Sequence, residues 1–163
     1  CNVVFGDSWN EYEKPQKHAW NMVKIDKDWY HIDVTWNINL SQRFKYVRYD
    51  YFNIRESDVI KDHRNFDKLE ICDSLKNNFF YENKCILNGR NELEKFLVDK
   101  LNNIKNNNAS KNIYFKLYLK ENENACSLIS NAISKASIKT FYFSKGYTLN
   151  SNSTQNVYLI RLN

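Results

Sequence analysis

Residues 18–37 read HAWNMVKIDKDWYHIDVTWN, and their pattern of apolar and polar residues predicts the fold of the first half of the chain. Its two runs, 18–25 and 29–36, alternate between apolar and polar residues, which is the period of a β-strand with two different faces. The short connection between them predicts an antiparallel hairpin with a tight turn centred on Asp26 and Lys27.

The register of this hairpin determines which side chains share a face. A turn at residues 26 and 27 places His18 opposite Thr35 and Trp20 opposite Asp33. His18 and Asp33 are then diagonal neighbours, about 7 to 8 Å apart at the backbone and within side-chain hydrogen-bonding reach. Their face also carries Trp20, Met22, Trp29, His31 and Thr35, whereas the opposite face, which we expect to be the core face, carries Ala19, Val23, Ile25, Tyr30, Ile32 and Val34.

An imidazole beside a carboxylate is a chemically informative pair. The carboxylate fixes the tautomer of the ring and stabilises its protonated form, so the histidine can deprotonate a nucleophile and later protonate a leaving amine. The competing interpretation is that His18 and Asp33 are polar residues on a solvated hairpin face, which is common in antiparallel sheets. The tryptophans on the same face favour the catalytic interpretation.

Composition limits the class of protein. The chain has 163 residues, of which 42% are hydrophobic, enough for one domain or a domain with a small appended unit. Its net charge of +5 comes from basic residues scattered among acidic ones, so we expect no nucleic-acid partner. No window approaches the roughly 18 to 20 apolar residues that span a bilayer, so we expect no membrane span.

The remaining elements are predicted from periodicity and turn residues. Before the hairpin we expect a strand at 2–5 and a polar loop at 6–16. After it we expect a loop at 37–49, a helix starting at Ser57 and an irregular segment at 64–78. From residue 79 a small α+β unit follows, with a hairpin (79–81 and 85–87), helices (91–103 and 122–136) and strands (113–119, 140–143 and 157–162).

The cysteines show no pattern that indicates a site. Cys1, Cys72, Cys85 and Cys126 include no CxxC pair and no metal-ligand spacing, so neither a zinc site nor a disulfide framework is predicted. We interpret them as buried or idle thiols. The chain opens with Cys1 rather than Met, and we expect it to be a fragment that lacks an upstream region.

Residues 1 to about 64 resemble the bacterial, clostridial-type transglutaminase-like family. The resemblance rests on the hairpin, on the preceding CNVVFG and on the following YDYFNIRESDVIKDHR. The tail resembles, more weakly, the C-terminal extension of such proteins. The resemblance implies an α+β fold in which residues 1–78 are the C-terminal part of an antiparallel papain-like core and residues 79–163 are a small α+β domain.

The family uses a Cys-His-Asp triad that forms a thioester with a carboxamide or peptide carbonyl and passes the acyl group to an amine or to water. The resemblance implies that His18 is the base, that Asp33 orients it, and that Trp20 and Trp36 line or shape the substrate site. It places the nucleophilic cysteine upstream of Cys1, so the parent is expected to be active and the fragment inert. It further implies a protein or peptide substrate, no cofactor, no metal, and an extracellular or cell-surface location.

Two rival functions remain open. The first is a metal site, because two histidines with a carboxylate are a recognised ligand set for zinc or iron. The candidate ligands are His18, His31 and Asp33, with His63 as a further candidate. Alternatively the fold is a binding or scaffold module without turnover, in which aromatic side chains contact sugars or peptides. The aromatic candidates are Trp9, Trp20, Trp29, Tyr46, Tyr49 and Tyr51.

Overall fold

The alternating runs near the start of the chain form one antiparallel sheet in the computed structural model, which describes residues 1–9 and 14–163. Its strands lie in the order β3-β2-β1-β4 and are β1 (Asn2–Ser8), β2 (Gln16–Ile25), β3 (Asp28–Ile32) and β4 (His63–Arg64). Strand β1 is longer than predicted at its C-terminal end. Positions 10–13 of the expected loop at 6–16 lie outside the described residues.

The predicted register of the hairpin is confirmed. Met22 pairs with His31, and Val23 pairs with Tyr30, as a turn centred on residues 26 and 27 requires. Asp26 adopts a left-handed φ of 54°, a conformation that tight hairpin turns demand.

The predicted end of the second strand is wrong. Strand β3 ends at Ile32, and residues 34–36 form the first turn of helix α1 (Val34–Phe44) instead of continuing the sheet. Asp33 is the N-cap of this helix, because its side chain accepts a hydrogen bond from the backbone N–H of Trp36. The expected loop at 37–49 is therefore mostly helical.

The assignment of the core face is wrong for most of its members, although Tyr30 is fully buried as expected. The buried cluster contains Val4, Trp20 and Met22, which lie on the face that carries His18, whereas Ala19 is exposed. The reason is that the chain after α1 returns over this face, where Tyr51, Ile54, Val59 and Cys72 complete the cluster. Val34, expected in the core, is 53% exposed on the first turn of α1.

Two short helices complete the first compact unit, Cys1–Lys84. Helix α2 (Glu56–Val59) begins one residue before the predicted cap, Ser57, and uses no side-chain cap. Helix α3 (Phe79–Glu82) replaces the strand that we expected at 79–81, because Asn78 caps it through the backbone N–H groups of Phe80 and Tyr81.

The second compact unit, Cys85–Asn163, contains a four-stranded sheet in the order β5-β6-β8-β7 and two helices that pack against each other. Strand β5 is parallel to β6, and the other pairs are antiparallel. Helix α5 continues through Thr140 and is capped by Phe141 in a left-handed conformation, so the strand expected at 140–143 is absent. The elements are β5 (Ile86–Asn88), α4 (Gly89–Asn107), β6 (Asn112–Tyr118), α5 (Ala125–Thr140), β7 (Tyr147–Asn152) and β8 (Val157–Leu162).

The α+β class and the antiparallel sheet of the first unit are confirmed. Within residues 1–9 and 14–163, no helix has both the length and the apolar character that crossing a bilayer requires.

Candidate active site

All three histidines of the chain lie on one face of the first sheet. His18 pairs with Gly6 of β1, and His63 pairs with Ser8 of the same strand. His31 pairs with Met22 of β2, the strand that carries His18. Directly opposed residues in antiparallel strands project to the same side, and residues two apart on a strand do so as well. Strand pairing alone therefore gathers the three imidazoles.

The contact expected between His18 and Asp33 is present. His18 Nε2 lies 2.6 Å from Asp33 Oδ2, and the exposed fractions of the two side chains are 16% and 2%. Asp33 reaches the ring from the N-cap position of α1 and not from a continued strand. This position also holds its other carboxylate oxygen, because the Trp36 N–H donates to Oδ1 at 3.0 Å.

The backbone around Asp33 is fixed by the returning chain. The N–H of Asp33 donates to the carbonyl of Tyr51 at 3.0 Å, and the Tyr51 N–H donates to the side chain of Asn37 at 3.0 Å. Asn37 in turn donates its own N–H to the carbonyl of Asp33. This closed set of hydrogen bonds leaves the carboxylate little freedom to move away from His18.

A second histidine, which sequence reasoning missed as a partner of Asp33, contacts the same carboxylate. His63 Nε2 lies 3.1 Å from Asp33 Oδ2, and His63 Nδ1 lies 2.7 Å from Asp62 Oδ1. Asp62 also accepts a hydrogen bond of 2.7 Å from the hydroxyl of Tyr51. The available signal was the adjacent pair Asp62-His63 in a chain with only three histidines.

These contacts shift the pKa values of the buried groups. Burial alone would raise the pKa of Asp33, but the hydrogen bonds from His63, from the Trp36 N–H and from His18 outweigh it and lower that pKa. Burial alone would lower the pKa of His63, yet the hydrogen bonds to Asp33 and Asp62 raise it above the ordinary value. The geometry thus favours an ionised Asp33 at neutral pH.

His31 belongs to a separate set of contacts. The indole Nε1–H of Trp20 donates to His31 Nδ1 at 3.0 Å, and His31 Nε2 lies 3.0 Å from Glu56 Oε2. Burial lowers the pKa of His31 more than Glu56 raises it. His31 therefore fixes the Trp20 indole through a hydrogen bond and does not contact the carboxylate of Asp33.

The two tryptophans proposed for the substrate site have different environments. Trp20 is 2% exposed and lies with its ring centroid 6.1 Å from that of His18 and 4.7 Å from that of His63, so it shapes the site from beneath. Trp36 is half-buried and lies 6.0 Å from His18, which leaves part of its indole able to contact a substrate.

Gly6 makes room for Trp20. A Cβ atom at Gly6 would lie 2.6 Å from the carbonyl oxygen of Arg64 and 2.8 Å from the Trp20 ring. Both distances are shorter than ordinary contacts, so the glycine permits strand β4 and the indole to approach β1 together. This close approach brings His63, on β4, to the site.

The structure changes the set of residues that could bind a metal ion. His18, Asp33 and His63, and not His31, offer ligand atoms within 4.8 Å of one another. However, two ligands of a tetrahedral zinc ion lie about 3.3 Å apart when each bond is about 2.0 to 2.1 Å. The 2.6 Å between His18 Nε2 and Asp33 Oδ2 is shorter than this spacing and fits a hydrogen bond.

Neither cysteine of the first unit has the features of a thiol activated by His18. Cys1 is exposed and precedes Gly6, the strand partner of His18, by five residues, or about 16 Å of extended chain. Cys72 is buried, and burial with the nearby Glu56 raises its pKa to about 12. In the second unit, burial raises the pKa of Cys85 to about 11, and Cys126 is exposed on α5.

No protein-family model matches this chain, and a comparison with curated proteins gives no match either. The resemblance described from the hairpin residues therefore stays a prediction.

Proposed function

We propose that this chain forms the His-Asp half of the active site of a transglutaminase-like cysteine enzyme. In this proposal His18 is the base, Asp33 orients it, and a segment outside residues 1–163 supplies the nucleophilic thiol. The observation that carries the proposal is the 2.6 Å contact from His18 Nε2 to the buried carboxylate of Asp33.

The orientation of His18 suits this role. A carboxylate only accepts hydrogen bonds, so Nε2 of His18 carries the proton and Nδ1 has the free lone pair. Among the described residues, none lies within hydrogen-bonding distance of Nδ1. The side chain of His18 is 16% exposed, and the proposal requires that the thiol approach Nδ1 from this exposed side.

The reaction follows from this arrangement. Nδ1 of His18 accepts the thiol proton, and the thiolate attacks the carbonyl carbon of a carboxamide or peptide bond. The C–N bond then breaks, the leaving amine takes the proton from His18, and a thioester remains. Water or a second amine attacks the thioester, loses its proton to His18 and releases the thiol. No cofactor takes part in these steps.

Asp33 acts on His18 in both directions of proton transfer. Its negative charge stabilises the imidazolium that forms when the thiol loses its proton. Its position at the start of α1, set by the Trp36 N–H, keeps the ring orientation unchanged between the two steps. Trp36, half-buried beside the ring, offers an aromatic surface for the substrate chain.

The substrate class is a protein or peptide that carries a carboxamide, as the family resemblance implies. Hydrolysis and acyl transfer share the acyl-enzyme and differ only in whether water or an amine attacks it. An extracellular or cell-surface location belongs to the same proposal.

A direct test uses the full-length protein and a glutamine-containing peptide, with a fluorescent primary amine as acceptor. We expect either incorporation of the amine or release of the acid, and we expect both activities to be lost in His18→Ala and Asp33→Asn. Lys17→Ala and Asp67→Asn are matched controls, because both residues are exposed on the same unit, and they should retain activity. Full activity of His18→Ala would refute the assigned base.

The binding-module alternative predicts a different result in the same experiment. A full-length protein that binds the peptide but shows neither product would support a module without turnover. Two of its six aromatic candidates, Trp20 and Tyr51, are buried, and the other four are half-buried. Packing therefore accounts for much of the aromatic pattern that suggested this alternative.

A further inference from the structure

His63 lies between two carboxylates in the interior of the first unit. Its side chain is fully buried, with Nδ1 2.7 Å from Asp62 Oδ1 and Nε2 3.1 Å from Asp33 Oδ2. The nearest rings belong to Trp20, Trp36 and His18, with centroid distances of 4.7, 4.8 and 5.6 Å.

The hydrogen bonds determine the protonation state of this ring. Ionised carboxylates carry no proton to donate, so a ring nitrogen that contacts one must itself carry the hydrogen. Both nitrogens of His63 contact carboxylate oxygens, which requires the doubly protonated, cationic form. Asp62 stays a suitable acceptor because the Tyr51 hydroxyl donates to its other oxygen.

His31 provides the contrasting case on the same sheet face. The indole of Trp20 can only donate a hydrogen bond, so Nδ1 of His31 must accept it and carries no proton. Nε2 then carries the single hydrogen and donates it to Glu56. Two buried histidines of one unit are thus held in opposite charge states by their partners.

We propose that His63 is a positioning residue of the site, a buried cation that holds Asp33 ionised and shares its Oδ2 atom with His18. This inference deepens the proposed function and rests on it for its catalytic meaning. The charge state of His63 itself stands on the contacts alone.

The proposal has a consequence for proton transfer. His63 donates to both Asp62 and Asp33, so this single cation reduces but does not cancel the negative charge of Asp33, which stays ionised and orients His18 without taking its proton. When His18 accepts the thiol proton, two cations face each other at 5.6 Å between ring centroids. Their repulsion favours rapid return of the proton to the leaving amine.

The charged and titratable groups around His63 are few in the described part of the chain. They are Asp62, which precedes it, Asp33 at the start of α1, His18 on β2 and, farther away, His31 on β3. Trp20, Trp36 and Tyr51 contribute uncharged rings. The pKa of His63 is raised by its two carboxylate partners against the effect of burial, in agreement with the hydrogen-bond argument.

The first experiment measures the charge state on residues 1–163, without reference to activity. In a nitrogen-15 histidine spectrum at about pH 7.5, one unit above the ordinary histidine pKa, we expect both ring nitrogens of His63 to be protonated. The spectrum of His31 should show one protonated nitrogen at the same pH and serves as the internal control. A neutral His63 ring at this pH would overturn the proposal.

Variants separate positioning from structural support. Asp62→Asn retains the ring and should move the titration of His63 to lower pH, whereas an unchanged titration would contradict the proposal. His63→Gln in the full-length enzyme should lower kcat about ten- to hundredfold with little change in KM, and should move the acidic limb of the pH profile upward, because it removes a cation 5.6 Å from the ring of the base. An unmoved pH profile would overturn the positioning role, whereas inactivity of the wild-type protein would instead refute the proposed function.

Discussion

Asp33 has two separable functions in the first unit, and a pair of substitutions distinguishes them. Its Oδ1 atom caps helix α1, and its Oδ2 atom accepts hydrogen bonds from His18 and His63. Asn caps helices about as well as Asp, so Asp33→Asn removes the charge and keeps the cap. Asp33→Ala removes both.

The expected magnitudes follow from the three hydrogen bonds. The cap is worth about 1 kcal/mol. A buried hydrogen bond to a charged group is worth about 1.5 to 3 kcal/mol, and the bond from His18, whose side chain is 16% exposed, belongs at the lower end of this range. Removing one member of a buried charged set costs about 3 to 5 kcal/mol, which we expect for Asp33→Ala. Asp33→Asn should lose about 1 kcal/mol less, because the cap remains.

Urea unfolding followed by tryptophan fluorescence measures these losses of unfolding free energy in the first compact unit, Cys1–Lys84. All four tryptophans lie within the first 36 residues, so the signal reports on the unit that contains the site. Asp67→Asn, at an exposed position of the same unit, is the matched control and should leave the transition nearly unchanged. Equal unfolding free energies for wild type and Asp33→Ala would refute the dual function.

Three further predictions concern the packing and the charge states around the site. Gly6→Ala should destabilise the first unit by about 1 to 3 kcal/mol in the same urea assay, because its Cβ would overlap the Arg64 carbonyl and the Trp20 ring, and an unchanged midpoint would contradict the packing argument. Trp20→Phe removes the donor to His31 Nδ1 and should cost about 1 to 3 kcal/mol, with the His31 ring then titrating at higher pH in a nitrogen-15 spectrum. Unfolding measured across pH should show stability falling on both sides of about pH 6.5. Above this pH, the stabilisation that protonated His63 gives to the folded state is lost as pH rises through its raised pKa. Below this pH, the stabilisation that neutral His31 gives is lost as pH falls through its lowered pKa. An unfolding free energy that does not change with pH would exclude both pKa shifts.

The sheet and its register could be predicted because strand pairing depends on a local signal. A period of two and a short connection determine the partner of each residue, and the structure pairs Met22 with His31 as that signal requires. His18, Trp20 and His31 are on one face for the same reason.

The end of β3 could not be predicted from residue preferences alone. Val34, Thr35 and Trp36 favour strands, yet they form the first turn of α1. The deciding residue is Asp33, whose capping hydrogen bond and whose contact with the Tyr51 carbonyl start the helix. An Asp before a possible helix was visible in the sequence, but its partner at residue 51 is a tertiary contact.

The role of His63 lay beyond sequence reasoning for a similar reason. Strand β4 has only two residues, too few for any periodicity to show, and it pairs with β1 because Gly6 permits a close approach. The buried side of the sheet was misassigned because alternation identifies two faces without stating which one the later chain covers.

In the proposed mechanism, His18 activates a thiol supplied from outside residues 1–163. The most direct measurement is to treat the full-length protein with an electrophilic peptide mimic and to identify the modified residue by mass spectrometry. We expect one modified cysteine outside residues 1–163. We expect the modification to be slower by about a hundredfold or more in His18→Ala. Equally rapid modification in His18→Ala, or modification only at Cys1, would contradict the claim.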